Sequence, residues 1–140
     1  MPDTENEITR RDACLLVTED EIGKAMRQGV VANESDIAGG AGGQGCEFNG
    51  AGSAYTDIMY FQAAGAFVYD AFHDTAAPNG VQMVPGLGDR AFTYSGGNGP
   101  GIVVVKGEKA FTIEFSGFGN GDPEMSSLLT LAQQAVNRVH

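Results

Sequence analysis

The chain has 140 residues, of which 42% are apolar, with 21 glycines and no tryptophan. That length suits one domain with enough chain to bury a core, and without Trp no sugar can be held on an indole platform. The formal net charge is -10, from 18 acidic and 8 basic residues; the basic residues are scattered rather than striped, which argues against nucleic acid and against an anionic membrane surface as partner.

Residues 1–11 read as a flexible leader or linker, and 12–139 as a single α+β domain. The start "MPDTENEITRRDA" is polar and does not read as a signal peptide. That leaves a cytosolic protein, or one whose chain begins downstream of a removed leader. No segment reaches the roughly 18–20 apolar residues that span a bilayer; the longest apolar runs, such as "GIVVV", are strand-sized.

In "VTEDEIGKAMRQGV", Thr18 and Glu21 form a capping box, and Glu19 and Asp20 favour the positive end of a helix. Ile22, Ala25 and Met26 share a face, and Gly29 offers a stop. "NESDIAGGAGGQG" reads as a glycine-rich exposed loop. "CEFNG" and "AYTDIMYFQ" read as strands joined by "NGAGS". In "AAGAFVYDAFHDTA", Phe67, Ala71 and Phe72 stand at helical spacing, which predicts a short second helix.

"VPGLGD" is a turn in which Gly86 and Gly88 are free to take positive φ. "RAFTYS", "IVVVK" and "KAFTIEF" are strands, the last two joined at a tight hairpin with Gly107 in its first central position. Phe111, Ile113 and Phe115 alternate with Thr112 and Glu114, as in a strand with one wet face. In "DPEMSSLLTLAQQAVNRV", Asp122 is placed as N-cap and Pro123 at the first helical position. Met125, Leu128, Leu129, Ala132, Ala135, Val136 and Val139 then make one apolar stripe. These elements predict an antiparallel sheet of about five strands with helices packed on one face.

Cys14 and Cys46, 32 positions apart, suit a bridge between the N-terminal helical region and the sheet. The alternative is a pair of buried free thiols; a zinc site would lack further ligands. A bridge implies an extracytoplasmic protein.

Few residues offer chemistry. His73 has Asp70 and Asp74 within a turn, either as a carboxylate–imidazole pair or as a solvated helix edge; no second histidine is placed to complete a metal site. Ser53 does not stand in a nucleophile-elbow spacing. Neither "GGAGGQG" nor "GGNGPG" carries the lysine and hydroxyl of a phosphate-binding loop. Lys106, Glu108 and Lys109 read as a solvated hairpin tip, and Asp89 and Arg90 as a local pair or a cap on the "GLG" turn. No catalytic residue, metal or cofactor is expected. Aromatics remain: Tyr55, Tyr60, Tyr69, Tyr94 and Phe118 are the candidate lining of a ligand groove between sheet and helix.

Taken in order, "DACLLVTEDEIGKAM", "GCEF", "VPGLGDRAF", "VVVKGEKAFTIEFSG" and "LLTLAQQAVNRV" resemble the small secreted lipoprotein domains of actinobacteria, a family of unknown function. The likeness covers about residues 12–139. That family often has Trp after its second cysteine, where this chain has Glu47 and Phe48. The resemblance implies an extracytoplasmic location, a Cys14–Cys46 bridge and a lipid tether upstream of Met1. The expected function is a non-enzymatic binding or sensor module for a small ligand or protein partner. The alternative is an interaction module such as an inhibitor of a secreted enzyme, its acidity complementing a basic cleft.

Overall fold

Along most of its strands the chain alternates residues between two faces, and the result is one antiparallel sheet of seven strands. The computed structural model describes residues 13–35, 43–50, 52, 54–63, 65–95, 99–116 and 125–139. The leader, the Asp122–Pro123 cap and Phe118 lie outside the described residues. The strands are β1 (Val31–Ser35), β2 (Gly43–Asn49), β3 (Tyr55–Phe61), β4 (Val81–Met83), β5 (Arg90–Ser95), β6 (Pro100–Lys106) and β7 (Lys109–Ser116). The helices are α1 (Glu19–Met26), α2 (Gly65–Ala76) and α3 (Met125–Val136), with a short helical turn at 13–15 and a 3-10 turn at Ala77–Asn79.

The strand order is β1-β2-β3-β7-β6-β5-β4. Two meanders are therefore sewn together along β3 and β7, where Ile58 faces Ile113. Sequence patterning finds the five inner strands and misses the two outermost. Both are edges, β4 is three residues long, and β1 takes up the "NES" that begins the expected glycine-rich loop. Short edges are one way sheets avoid pairing with other chains; β4 is too short to show alternation, and Asn33, Glu34 and Ser35 of β1 read as loop because they are polar.

Helices lie on both faces, not one. Cys46, Phe48, Ile58, Ile102, Val104, Phe111, Ile113 and Phe115 share a core with Ile22 and Met26 of α1 and Leu128, Leu131, Ala132 and Ala135 of α3. The intervening residues Phe92, Val103, Val105 and Ala110 pack with Tyr69, Val68, Phe72 and Ala76 of α2. The cause is in β6, buried from Gly101 to Val105; a strand apolar in both phases must be covered on both sides. The expected phase of α2 is also corrected, because Phe67 stands outward at 76% exposure.

Local chemistry fixes each helix. The Thr18 Oγ1 accepts from the Glu21 amide at 3.1 Å and the Thr18 amide donates to Glu21 Oε1 at 2.8 Å, which completes the capping box. Helix α1 ends at Arg27 in the left-handed region (φ 60°), two residues before Gly29. Arg138 forks onto both Glu21 carboxylate oxygens at 2.7 and 2.8 Å and also donates to the Leu16 carbonyl. Lys106 donates to the carbonyls of Val136 and Val139, occupying acceptors at the end of α3. At the start of α2, Gly65 donates to the Glu108 carbonyl at 2.8 Å; a Cβ there would meet the Glu108 and Lys109 backbone at 2.8 Å.

Cys14 and Cys46 form a disulfide with their Cα atoms 5.1 Å apart, joining the helical turn at 13–15 to β2. The buried bridge points towards an oxidising environment. Among the described residues no helix is long and apolar enough to cross a membrane.

Candidate functional site

Glu47, Asp57 and Glu114 occupy middle positions of β2, β3 and β7, each flanked by residues buried in the larger core. Alternation therefore turns all three to the opposite face, the one that carries α2. The register brings them abreast: Glu47 faces Asp57, and Asp57 faces Glu114. Directly opposed residues have Cβ atoms about 4.5–5.5 Å apart, so three carboxyl groups stand side by side across three strands. The row continues through Gly101 of β6 to Tyr94 of β5.

Two hydroxyls hold one end of the row. Tyr94 donates to Glu114 Oε2 at 2.6 Å, and Ser116 donates to Glu114 Oε1 at 3.4 Å. Gly101 makes the first contact feasible, since a Cβ there would fall within the Tyr94 ring. Burial, the Glu114 charge and its hydrogen bond, and the Asp57 charge all push the Tyr94 phenol upward. It stays protonated and remains a donor.

Asp57 lies at the centre and is 8% exposed. Burial raises its carboxyl to about 7, with the charges of Glu47 and Glu114 and a hydrogen bond with Glu47 acting in the same direction. Two carboxyls joined by a hydrogen bond share a proton, because both cannot ionise cheaply at that spacing. The Oδ1 atom of Asp57 is buried and accepts no hydrogen bond within the described residues. An acceptor left this way costs about 1–3 kcal/mol, more when charged. Such a row can take up a proton or receive an N–H donor bearing positive charge. Among the described residues no three His, Cys, Asp or Glu side chains are grouped so as to hold a metal ion.

The sheet divides the expected aromatic lining. Tyr60 belongs to the core under α1 and α3. Tyr69, on α2, is buried against the sheet, edge-on to Phe92 at 5.1 Å between ring centres, and Tyr94 packs on that second cluster. Tyr55 is half-buried on the same face as Tyr94, but across β7 and β6 from it. These tyrosines do not line one groove; only Tyr94 joins the carboxylate row, and Phe118 lies outside the described residues.

His73 is an aromatic packing residue. It stacks on Tyr69 and meets Phe92 edge-on at 5.2 Å, with Asp74 at 3.9 Å. Asp70 pairs instead with Arg90, whose guanidinium lies 4.4 Å from the Tyr69 ring centre. Asp89 caps the β6–β7 hairpin, not the "GLG" turn. Among the described residues, an open cleft of about 240 Å³ lies between α1 and α3, bordered by Lys24, Thr130 and Gln134, and another of about 370 Å³ lies at the β4 edge, bordered by Tyr94.

Sequence reasoning missed the acid row because each carboxylate, alone, reads as an ordinary wet-face residue. The available signal was a set of three acids at mid-strand positions in strongly apolar strands. Compared with known proteins, the sequence matches no family model and no curated protein.

Proposed function

We propose that the protein is a non-enzymatic, extracytoplasmic binding module that receives a positively charged group on the Glu47–Asp57–Glu114 row. The observation that carries this reading is the buried Asp57 Oδ1, which accepts no hydrogen bond within the described residues although two acidic neighbours crowd it. An ammonium or guanidinium group supplies both missing elements, a donor and a compensating charge. The disulfide supports an extracytoplasmic setting. The inhibitor reading rests on the net charge of -10 alone, which assists encounter more than it selects a partner.

The test is a titration of isotope-labelled protein with n-butylammonium chloride, read by amide chemical shifts and referenced to sodium chloride at equal ionic strength. Saturable shifts in β2, β3 and β7 that vanish in Asp57→Asn and Glu114→Gln support the site. Shifts no larger than those with sodium, or shifts indifferent to both substitutions, overturn it.

A further inference from the structure

Resting on that reading of the acid row, we infer that the Glu47–Asp57 pair surrenders its shared proton when the cationic group binds, so that acidification releases the ligand. The geometry is a competition for one place. Asp57 is flanked on both sides by register-opposed acids, and its hydrogen bond to Glu47 is made by a proton lying between two carboxyl groups. An ammonium group in the row provides its own N–H donors and positive charge, so it satisfies the same oxygens the proton satisfies. The protonated pair carries one negative charge fewer and has its facing oxygens already occupied, so it holds the cation more weakly than the deprotonated pair does. When the cation enters, the O–H bond between the shared proton and the pair breaks, and the proton leaves to buffer.

The surroundings leave this exchange to the pair. Glu114 is tied to the Tyr94 and Ser116 hydroxyls, and Tyr94 cannot supply a proton because its environment holds the phenol protonated. The neighbouring charged groups on this face belong to the α2 end. Asp70 is matched by Arg90, and His73 and Asp74 stand together. His73 is the imidazole on this face, packed on Tyr69 and Phe92, and its replacement serves as the control.

With the Asp57 carboxyl raised to about 7, only the deprotonated fraction is competent to bind. Apparent affinity for n-butylammonium then falls about 30-fold between about pH 8.5 and about pH 5.5. Calorimetric titrations in buffers of different ionisation enthalpy read the proton directly: the expected release is about half a proton per cation bound near neutrality, approaching one at lower pH. The same profile is expected in His73→Gln. Asp57→Asn, which keeps the shape but carries no exchangeable carboxyl proton, binds weakly and without pH dependence; Glu47→Gln, which leaves Asp57 its carboxyl but removes the partner acid, releases less proton per cation. Binding that is saturable yet releases no proton, or whose pH dependence disappears in His73→Gln, overturns proton exchange while the binding site stands. Absence of binding at every pH removes both.

Discussion

The carboxylate of Asp89 accepts a hydrogen bond from the Gly107 amide at 2.6 Å, across 18 residues of chain. The Asp89 amide in turn donates to the Val105 carbonyl at 2.8 Å. The "GLGD" turn is thereby clamped onto the "KGEK" hairpin, with Gly86 and Gly88 at positive φ letting the turn bend and Gly88 lying against the Val104 side chain and the Val105 backbone. A Cβ at Gly88 would sit 2.7 Å from the Val105 carbonyl oxygen. This part of the chain builds sheet. Asp89→Ala is expected to cost about 1–3 kcal/mol, since a charged acceptor is lost from a backbone donor. Urea unfolding checks it, as a lower midpoint with unchanged slope.

Gly101 and Tyr94 form a second such pair, in which a missing side chain makes room for a ring that reaches Glu114. Tyr94→Phe should lose about 1.5 kcal/mol, the lower end for one hydrogen bond to a charged group net of solvation. Gly101→Ala should lose more, about 2–3 kcal/mol, because the whole ring must move. The two should be strongly non-additive in a double-mutant cycle; additive losses would show that the ring does not lie over the glycine.

Acid has opposite effects at two places. The Asp57 carboxyl is raised to about 7 from an ordinary 3.8, so the folded protein binds this proton more tightly than the unfolded chain. Between those values stability increases as pH falls, by at most about 1.4 kcal/mol per pH unit. Replacing Asp57 with Asn should therefore stabilise the protein at pH 8 and flatten its thermal stability between pH 8 and 5. A destabilised Asn variant at pH 8 would contradict the repulsion described for the row.

Glu21 behaves in the reverse sense. The Arg138 hydrogen bond leads the effects that hold it below the ordinary carboxylate range. Its contribution is present above pH 4.5 and is lost as pH falls through the depressed folded value. The pair is partly exposed, so Arg138→Ala should cost about 1 kcal/mol or less at neutral pH. The deficit relative to the parent protein should shrink in acid, which thermal unfolding at pH 7 and pH 3 would show.

Closing a loop of 32 residues, the Cys14–Cys46 bridge should contribute about 3–4 kcal/mol by restricting the unfolded chain. Equilibrium unfolding with and without a strong reductant measures it. An unchanged midpoint, with thiol release verified, would assign the bridge no stabilising role.

Local patterns were sufficient for most of the scaffold. Alternation in "KAFTIEF" marks β7, Thr18 and Glu21 mark the start of α1, and the two cysteines mark their bridge. What stayed hidden depends on partners that local patterns do not specify. The edge strands β1 and β4 are stabilised by one neighbour each and need little hydrophobicity of their own. The phase of α2 is set by Phe92 and Val103, residues far along the chain, so Phe67 faces outward despite its spacing with Ala71. Above all, Asp57 meets Glu114 only because β3 pairs with β7 across a sequence separation of 57 residues, from Asp57 to Glu114. No window around either residue contains the other.

That seam also dictates an order of events as the chain matures. The inner edge of β3 has no partner until β7, the last strand, has arrived. Pairing of distant segments is slow to form, so a chain shortened before Lys109 would present an unsatisfied ribbon flank ready to recruit a foreign strand. Assembly of the two halves thus waits on nearly the whole polypeptide, and whatever escorts the unfinished protein must shield that flank until the second meander closes over it.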